Sequence, residues 1–166
     1  MENNLDSVKI ETGDIIFVKQ NDLTSLLIRW LEKSPYSHVA IAINSNEIIE
    51  ADILRRVKIR KMKYTSFKVM RVDLNVSQKK LLISCAKTFI NNKYNYKGAI
   101  KWFFRLIINR KDDRDLPQRV YCSELVDYIY RCVGIVFYPE RAPGDVLPSD
   151  LLNSPLVKEA ARETKK

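Results

Sequence analysis

The sequence is poor in the residues that build metal centres, fibres and long linkers. Its 166 residues include one histidine, three cysteines, four glycines and six prolines. One histidine and no CxxC pair leave none of the usual zinc-ligand sets, and the low glycine and proline counts argue against a fibrous or linker-rich chain. We therefore expect a globular protein that uses no metal and no other cofactor.

Long apolar runs are missing as well. The longest one in the first half of the chain, Val39 to Ile43, is far shorter than the ~20 residues that span a bilayer. The N-terminal segment MENNLDSVKIETGD is polar and acidic, unlike a signal peptide. These features predict a cytoplasmic protein with reduced thiols at Cys85, Cys122 and Cys132. The 46% hydrophobic and 30% charged content fits a single domain over residues 1–166.

Positive charge is concentrated in one part of the chain. The net charge is +9, and eight basic residues but no acidic ones occur between Ile53 and Val72. Such a block can bind nucleic acid, anionic lipid or an acidic partner, or it can form the solvated face of a strand. No helix-turn-helix, zinc-finger or RNA-binding aromatic motif accompanies it, so nucleic acid is not favoured as a partner. The eight residues are Arg55, Arg56, Lys58, Arg60, Lys61, Lys63, Lys68 and Arg71.

Apolar periodicity divides the chain into a strand-rich first half and a helical second half. Strands are predicted where β-branched residues cluster between turn residues, over 13–19, 38–43, 47–51, 57–59 and 68–73. Helices are predicted over 24–33, from Ser77, within 96–109 and from Cys122 to Gly134. Strands followed by clustered helices predict an α+β protein.

Cys122 is the strongest candidate for a catalytic nucleophile. The sequence YCSELVDYIY passes from loop to helix at this residue, and the free N–H groups of a helix N-terminus favour a thiolate. Cys85 and Cys132 fall on apolar helix faces, where a cysteine is usually a small core residue. His38 is the single imidazole of the chain and so the default base for Cys122, although a lone histidine is often structural.

A third polar residue is needed to orient the second nitrogen of the imidazole. Glu50 lies on the strand predicted to pair with the strand of His38 through a hairpin at 44–46, so it can lie beside the histidine. Asp52, two residues later on the same face, is the alternative. Either acid can instead be an ordinary ion-pair partner of the basic block that follows it.

Four short motifs, taken in order, resemble one protein family. GDIIF at the first strand, then YSHVAIAI, IIEA and YCSELV, are similar to the circularly permuted branch of the NlpC/P60 papain-like superfamily, with lecithin:retinol acyltransferase-like enzymes as more distant relatives. In this branch the histidine strand precedes the cysteine helix. The resemblance covers about residues 13–155 and implies a permuted papain-like fold, in which an antiparallel sheet or small barrel packs against helices.

The resemblance also implies a Cys-His-Glu triad and a set of substrate-contacting residues near the nucleophile. The stretch PGDVLPSDLLNSP would be the segment that closes the fold past the site. The charged loop 110–119 has no counterpart in the family. By position, the triad is Cys122, His38 and Glu50, and the substrate-contacting residues are Tyr94, Tyr121 and Ser123, with Tyr96 as the alternative to Tyr94.

The expected activity is attack of a Cys122 thiolate on an amide or ester carbonyl, giving a thioester that water or an amine resolves. This predicts a hydrolase or acyltransferase for small-molecule, lipid or peptide substrates. The aromatic helix AIKWFFRLII and the positive charge fit an anionic membrane surface as a second partner, with the protein peripheral to it. For this helix the alternative, slightly favoured, is that Trp102, Phe103 and Leu106 pack in the core. The alternative is a binding module that has lost catalysis and uses its basic surface for anionic lipid or nucleic acid.

Overall fold

The computed structural model describes residues 8–19, 29–30, 34–51, 56–91, 93–94 and 119–161. Of residues 93–94 and 119–120 it describes the backbone alone. Several sequence predictions therefore lie outside the described residues. These are the helix within 96–109, the charged loop up to residue 118, Asp52, and most of the helix over 24–33.

A six-stranded sheet of antiparallel neighbours forms the centre of the fold. The strands of the described residues are β1 (Ile15–Val18), β2 (His38–Ala42), β3 (Glu47–Glu50), β4 (Lys58–Lys61), β5 (Phe67–Arg71), β6 (Lys93–Tyr94), β7 (Arg119–Val120) and β8 (Lys158–Glu159). The sheet order is β4-β3-β2-β1-β5-β8, and β6 and β7 form a separate parallel pair. All five predicted strands are present, with ends that differ by no more than two residues. Within the described ranges β4 and β8 are the end strands, so of the two expected forms these ranges show the sheet.

Three helices are described, α1 (Val76–Thr88), α2 (Cys122–Cys132) and α3 (Pro148–Asn153). α1 begins one residue before the predicted Ser77 because Asn75 caps it. Asn75 Oδ1 accepts from Gln78 N at 2.9 Å, and Gln78 Oε1 accepts from Asn75 N at 3.0 Å, which is a capping box. α2 begins at Cys122 as predicted, and Gly134 follows its end with φ at 79°. No helix in the described ranges is long and apolar enough to cross a bilayer.

Apolar side chains cover both faces of the sheet. On one face, alternate residues of β1, β2 and β3 pack against α1 and α2; on the other, the intervening residues pack against side chains from 8–10, 62–67 and Ala160. Because both faces are buried, the strand sequences IIFV and HVAIA are nearly continuous apolar runs rather than alternating ones. The first cluster includes Ile15, Phe17, Val39, Ile41, Leu125 and Ile129, and the second includes Ile16, Val18, Ala40, Ala42 and Ile48.

The GD dipeptide before β1 has a structural role. Gly13 has φ at 91°, and a Cβ there would lie 2.6 Å from Leu74 Cδ1, so glycine is favoured on two grounds. Asp14 is buried and binds Arg71 twice, through Nε at 2.7 Å and Nη2 at 2.8 Å. Tyr130 of α2 donates its hydroxyl to Gly13 O. The start of β1 is thereby joined to α2, and one member of the basic block, Arg71, is used inside the fold.

Cys85 of α1 and Cys132 at the end of α2 form a disulfide, with Cα atoms 6.5 Å apart. The prediction of reduced thiols is therefore wrong for this pair. α1 and α2 pack against each other, which brings the two cysteines within the Cα separation that a disulfide needs. Their separation of 47 residues in the sequence gives no hint of the pairing, because that pairing depends on how the two helices dock.

Candidate active site

β2 and β3 bring His38 and Glu50 together. Ile41 lies opposite Ile49 in the antiparallel ladder, and continuing this register makes Glu50 a diagonal neighbour of His38 on the same face. His38 Nε2 lies 3.0 Å from Glu50 Oε2, and the two side chains are 10% and 2% exposed. The hairpin predicted from the sequence therefore places the first-choice acid beside the histidine, whereas Asp52 lies outside the described residues.

Glu50 has two further partners, and one of them belongs to the basic block that the sequence offered as an ion-pair partner. Tyr64 donates its hydroxyl to Glu50 Oε2 at 2.7 Å, and Arg60 Nε pairs with Glu50 Oε1. Arg60 Nη2 also donates to the Tyr64 hydroxyl at 2.8 Å. In the sequence, Arg60 belongs to a block expected to form a binding surface or a solvated strand face, or to pair with an acid. Because Glu50 lies opposite Lys58 in the β3–β4 ladder, Arg60 is a diagonal neighbour of the buried acid.

The charges of His38 and Glu50 follow from these partners. Burial alone would lower the pKa of His38, but hydrogen bonds with Cys122 and Glu50 outweigh burial and raise the pKa to about 10. Burial would raise the pKa of the Glu50 carboxyl, but the bond with His38, supported by Tyr64 and the charge of Arg60, holds that pKa below its ordinary value. At neutral pH the pair is therefore an imidazolium beside a carboxylate.

Cys122 occupies the first position of α2, half-buried, and is the one free cysteine of the three. Its thiol makes the hydrogen bond that raises the pKa of His38. Because His38 Nε2 faces Glu50, Nδ1 is the ring nitrogen left for the thiol. The free N–H groups of the first helical turn lie at the end of α2 that carries this sulfur.

The segment 142–147, called the strap below, is bound to the beginning of α2. Tyr121 donates its hydroxyl to Gly144 O at 3.0 Å, and Ser123 Oγ donates to Val146 O at 2.7 Å. Gly144 N donates to Asp127 Oδ2 at 2.7 Å. These bonds fix the first two turns of the helix that carries Cys122. The strap contains the PGDV sequence, which the family resemblance implied as a closing segment.

The same bonds bear on the predicted substrate contacts. Tyr121 and Ser123 are buried, and both hydroxyls are used to hold the strap, a position that does not favour contact with substrate. Contact of these two residues with substrate stays a prediction. Tyr94 pairs through its backbone with Val120 in the β6–β7 ladder, and Val120 lies two residues before Cys122 in the sequence. The proposed contact of Tyr94 with substrate stays a prediction.

The fold and the order of its parts define a circularly permuted papain-like protein, in which a histidine strand precedes a cysteine helix and the two meet at one site. Residues 9–144 match the family described as permuted papain-like amidase enzymes, YaeF/YiiX, the C92 family, and the chain belongs to this family. The resemblance to a permuted papain-like superfamily and the α+β class are thereby confirmed. Family membership makes the protein a papain-like hydrolase at that level of description.

A solved structure is similar throughout the chain. It is yiiX from Escherichia coli O157:H7, described as a metalloprotein of DUF1105, with 21% sequence identity, a TM-score of 0.68 and coverage of 93% of this chain and 98% of that chain. At this identity the likeness concerns the fold. No curated protein matches the sequence.

Proposed function

We propose that this protein cleaves amide bonds through a thioester on Cys122, with His38 as general acid and base and Glu50 as the residue that orients the imidazole. The observation that carries the proposal is the continuous set of contacts from Cys122 through His38 to Glu50. Membership of an amidase family supports amide cleavage over other thiol chemistry.

The proposed reaction has two halves that return the site to its starting state. The Cys122 thiolate attacks the amide carbonyl carbon, and the His38 imidazolium gives its proton to the leaving nitrogen as the C–N bond breaks. Neutral His38 then takes a proton from water, whose oxygen attacks the thioester, and the C–S bond breaks to restore thiolate and imidazolium. The backbone N–H of Cys122 is free of helix bonds in the first turn and supports the oxyanion.

The same thioester can be resolved by an amine, which would make the protein an acyltransferase, and an ester carbonyl can enter the same pathway. Hydrolysis of an amide is preferred here because the family is one of amidases. Lipid amides and peptides both carry the required carbonyl, so both belong in the test. The binding-module alternative is less favoured, because the contacts of His38 with Cys122 and Glu50 support a thiol hydrolase.

A metal is not part of the proposed mechanism. The similar yiiX structure is described as a metalloprotein, but within the described ranges of this chain no three histidine, cysteine, aspartate or glutamate side chains are grouped to hold a metal ion. The carboxylate of Glu50 is already bound by His38, Tyr64 and the cationic Arg60. A cation in contact with a carboxylate opposes metal binding to it, so the residues present do not fit a metal here.

The test is intact-protein mass spectrometry after mixing with p-nitroanilides of peptides and of short and long fatty acids. We expect a transient acyl adduct with release of p-nitroaniline, lost in Cys122→Ala and slowed in His38→Ala. The matched control is the double variant Cys85→Ala/Cys132→Ala, which removes the other two sulfurs and should still form the adduct. An adduct that persists in Cys122→Ala would overturn the assignment of the nucleophile. No adduct with any substrate class, together with a Cys122 thiol of ordinary reactivity, would favour a binding module.

A further inference from the structure

Glu50 is held by a chain of hydrogen bonds that reaches out from the site through Tyr64 to Arg60. The carboxylate is 2% exposed, whereas Arg60 is 34% exposed. The Tyr64 hydroxyl lies between them, 2.8 Å from Arg60 Nη2 and 2.7 Å from Glu50 Oε2. Both residues bond to Glu50, and the Tyr64 ring centroid also lies 6.1 Å from that of His38, so we expect their effect on the nucleophile to pass through Glu50 and His38.

The donor and the acceptor of each hydrogen bond in this series are fixed by the chemistry of the side chains. A guanidinium has donors and no acceptor, so the Tyr64 oxygen accepts from Arg60 and its single proton is left for Glu50. An ionised carboxylate accepts only, so Glu50 Oε2 receives both the Tyr64 proton and the proton on His38 Nε2. His38 therefore carries hydrogen on Nε2, which directs Nδ1 toward the thiol.

A buried carboxylate needs this support to stay ionised. Burial favours the neutral acid, and a protonated Glu50 would stop accepting from His38 through the oxygen that carried the proton. Arg60 compensates the negative charge directly, and Tyr64 adds a second hydrogen bond to the same oxygen that meets His38. Burial and the bond to Glu50 both raise the pKa of Tyr64, so the phenol keeps the proton that it donates.

We infer that Tyr64 and Arg60 are positioning residues for the reaction, which hold Glu50 ionised and aimed at His38 Nε2 and thereby fix the imidazole for Cys122. This role rests on the proposed function, because it acts only through the Cys122–His38 pair. Among the described residues, the charged and titratable groups that face Glu50 are His38 of β2, Arg60 of β4 and Tyr64 after β4, with Lys58 opposite Glu50 in the ladder.

The test is the pH dependence of Cys122 alkylation by iodoacetamide in the full chain without reductant. Because Cys85 and Cys132 are bonded to each other, alkylation reports Cys122 alone. In Arg60→Met, Glu50 takes up a proton at a higher pH than in the wild type and ceases to support the imidazolium. The acid limb is the low-pH part of the profile, over which the alkylation rate rises with pH. This limb should shift to higher pH by about one unit, so that alkylation at a fixed pH on the limb becomes roughly tenfold slower.

Three further variants separate positioning from a general effect on the fold. Tyr64→Phe keeps the ring and removes one hydrogen bond to Glu50. The acid limb of this variant should therefore also shift to higher pH, by about half a pH unit. Arg60→Lys keeps the charge and should restore most of the wild-type profile. Lys61→Met removes a charge from the exposed neighbouring position of β4 and should leave the profile unchanged. A merely structural role for Arg60 would lower stability without moving the limb.

Two outcomes distinguish failure of the positioning role from failure of the proposed function. In the first outcome, His38→Ala shifts the acid limb, but Tyr64→Phe and Arg60→Met both leave it at its wild-type position. The positioning role is then wrong and the proposed function stands. If the wild-type thiol behaves as an ordinary one and His38→Ala changes nothing, the proposed function itself fails. Should Arg60→Met not fold, Tyr64→Phe decides, because it preserves the packing: an unmoved limb in that variant overturns the role.

Discussion

Cys122 and Cys132 are the first and last residues of α2, and their sulfurs are in different chemical states. Cys122 carries a free thiol beside His38, whereas Cys132 is bonded to Cys85 of α1. The helix is therefore held at its C-terminal end by a covalent bond and near its N-terminal end by hydrogen bonds to the strap. Both anchors limit how far the thiol can move relative to the strand that carries the imidazole.

Loss of the disulfide should destabilise the protein substantially. The bond joins residues 47 positions apart, and closing a loop of that length stabilises a fold by roughly 2–4 kcal/mol. The variant Cys85→Ser/Cys132→Ser should lose about that much free energy of unfolding in urea titrations, and reduced wild type should lose a similar amount. Thiol titration of denatured, unreduced protein should find one thiol per chain; three thiols would contradict the pairing.

The charge state of His38 can be followed directly, because the chain has one histidine and its ring signals need no assignment. Hydrogen bonds with Cys122 and Glu50 favour the charged ring and raise the pKa of His38 to about 10. The ring carbon-bound protons should therefore show no titration step near the ordinary value of about 6.5 and a step near pH 10. Glu50→Gln and Cys122→Ala each remove one supporting bond and should move the step downward. A wild-type step at the ordinary value, unmoved in both variants, would contradict the geometry.

Much of the fold could be predicted from the sequence because it is encoded locally. The strands at 15–18, 38–42 and 47–50 appear as apolar runs between turn residues, and the beginning of α2 at Cys122 follows from the change of period after it. The proximity of His38 and Glu50 also follows from local information, since a short hairpin fixes which residues lie side by side.

The features that the sequence did not specify depend on contacts between segments that no short turn connects. Arg60 approaches Glu50 because of the register of a third strand, and Tyr64 reaches it by turning back after that strand. The Cys85–Cys132 bond depends on the docking of two helices. Apolar patterns indicate which face of an element is buried, but they carry little information about register between strands that no short turn connects.

Ser123 should prove to be a structural residue, although its position beside Cys122 suggested contact with substrate. Its hydroxyl is buried and donates to Val146 O at 2.7 Å. Ser123→Ala removes this bond and leaves a buried carbonyl without it, so the free energy of unfolding should fall by about 1–2 kcal/mol. The KM for the best p-nitroanilide should stay within experimental error of wild type. A several-fold rise in KM with unchanged stability would restore the substrate role.

Gly144 and Gly134 provide a matched pair for testing how the strap supports the site. Both have φ at 79°, so alanine at either position meets the same backbone strain, about 1 kcal/mol. A Cβ on Gly134 would meet nothing within 4 Å, whereas a Cβ on Gly144 would lie 2.7 Å from Glu124 Cγ and 2.9 Å from the Tyr128 hydroxyl. Gly144→Ala should therefore lose about 1–3 kcal/mol more stability than Gly134→Ala.

The two variants should also differ in Cys122 reactivity. Gly144 N donates to Asp127 and Gly144 O accepts from Tyr121, so relief of the clash at Gly144 must shift the strap or the first turns of α2. Iodoacetamide alkylation near neutral pH should slow several-fold in Gly144→Ala and stay at the wild-type rate in Gly134→Ala. Equal losses of stability and unchanged alkylation in both variants would contradict this role of the strap. The strap would then move without displacing the thiol, and the remaining bonds of α2 would suffice to place Cys122 against His38.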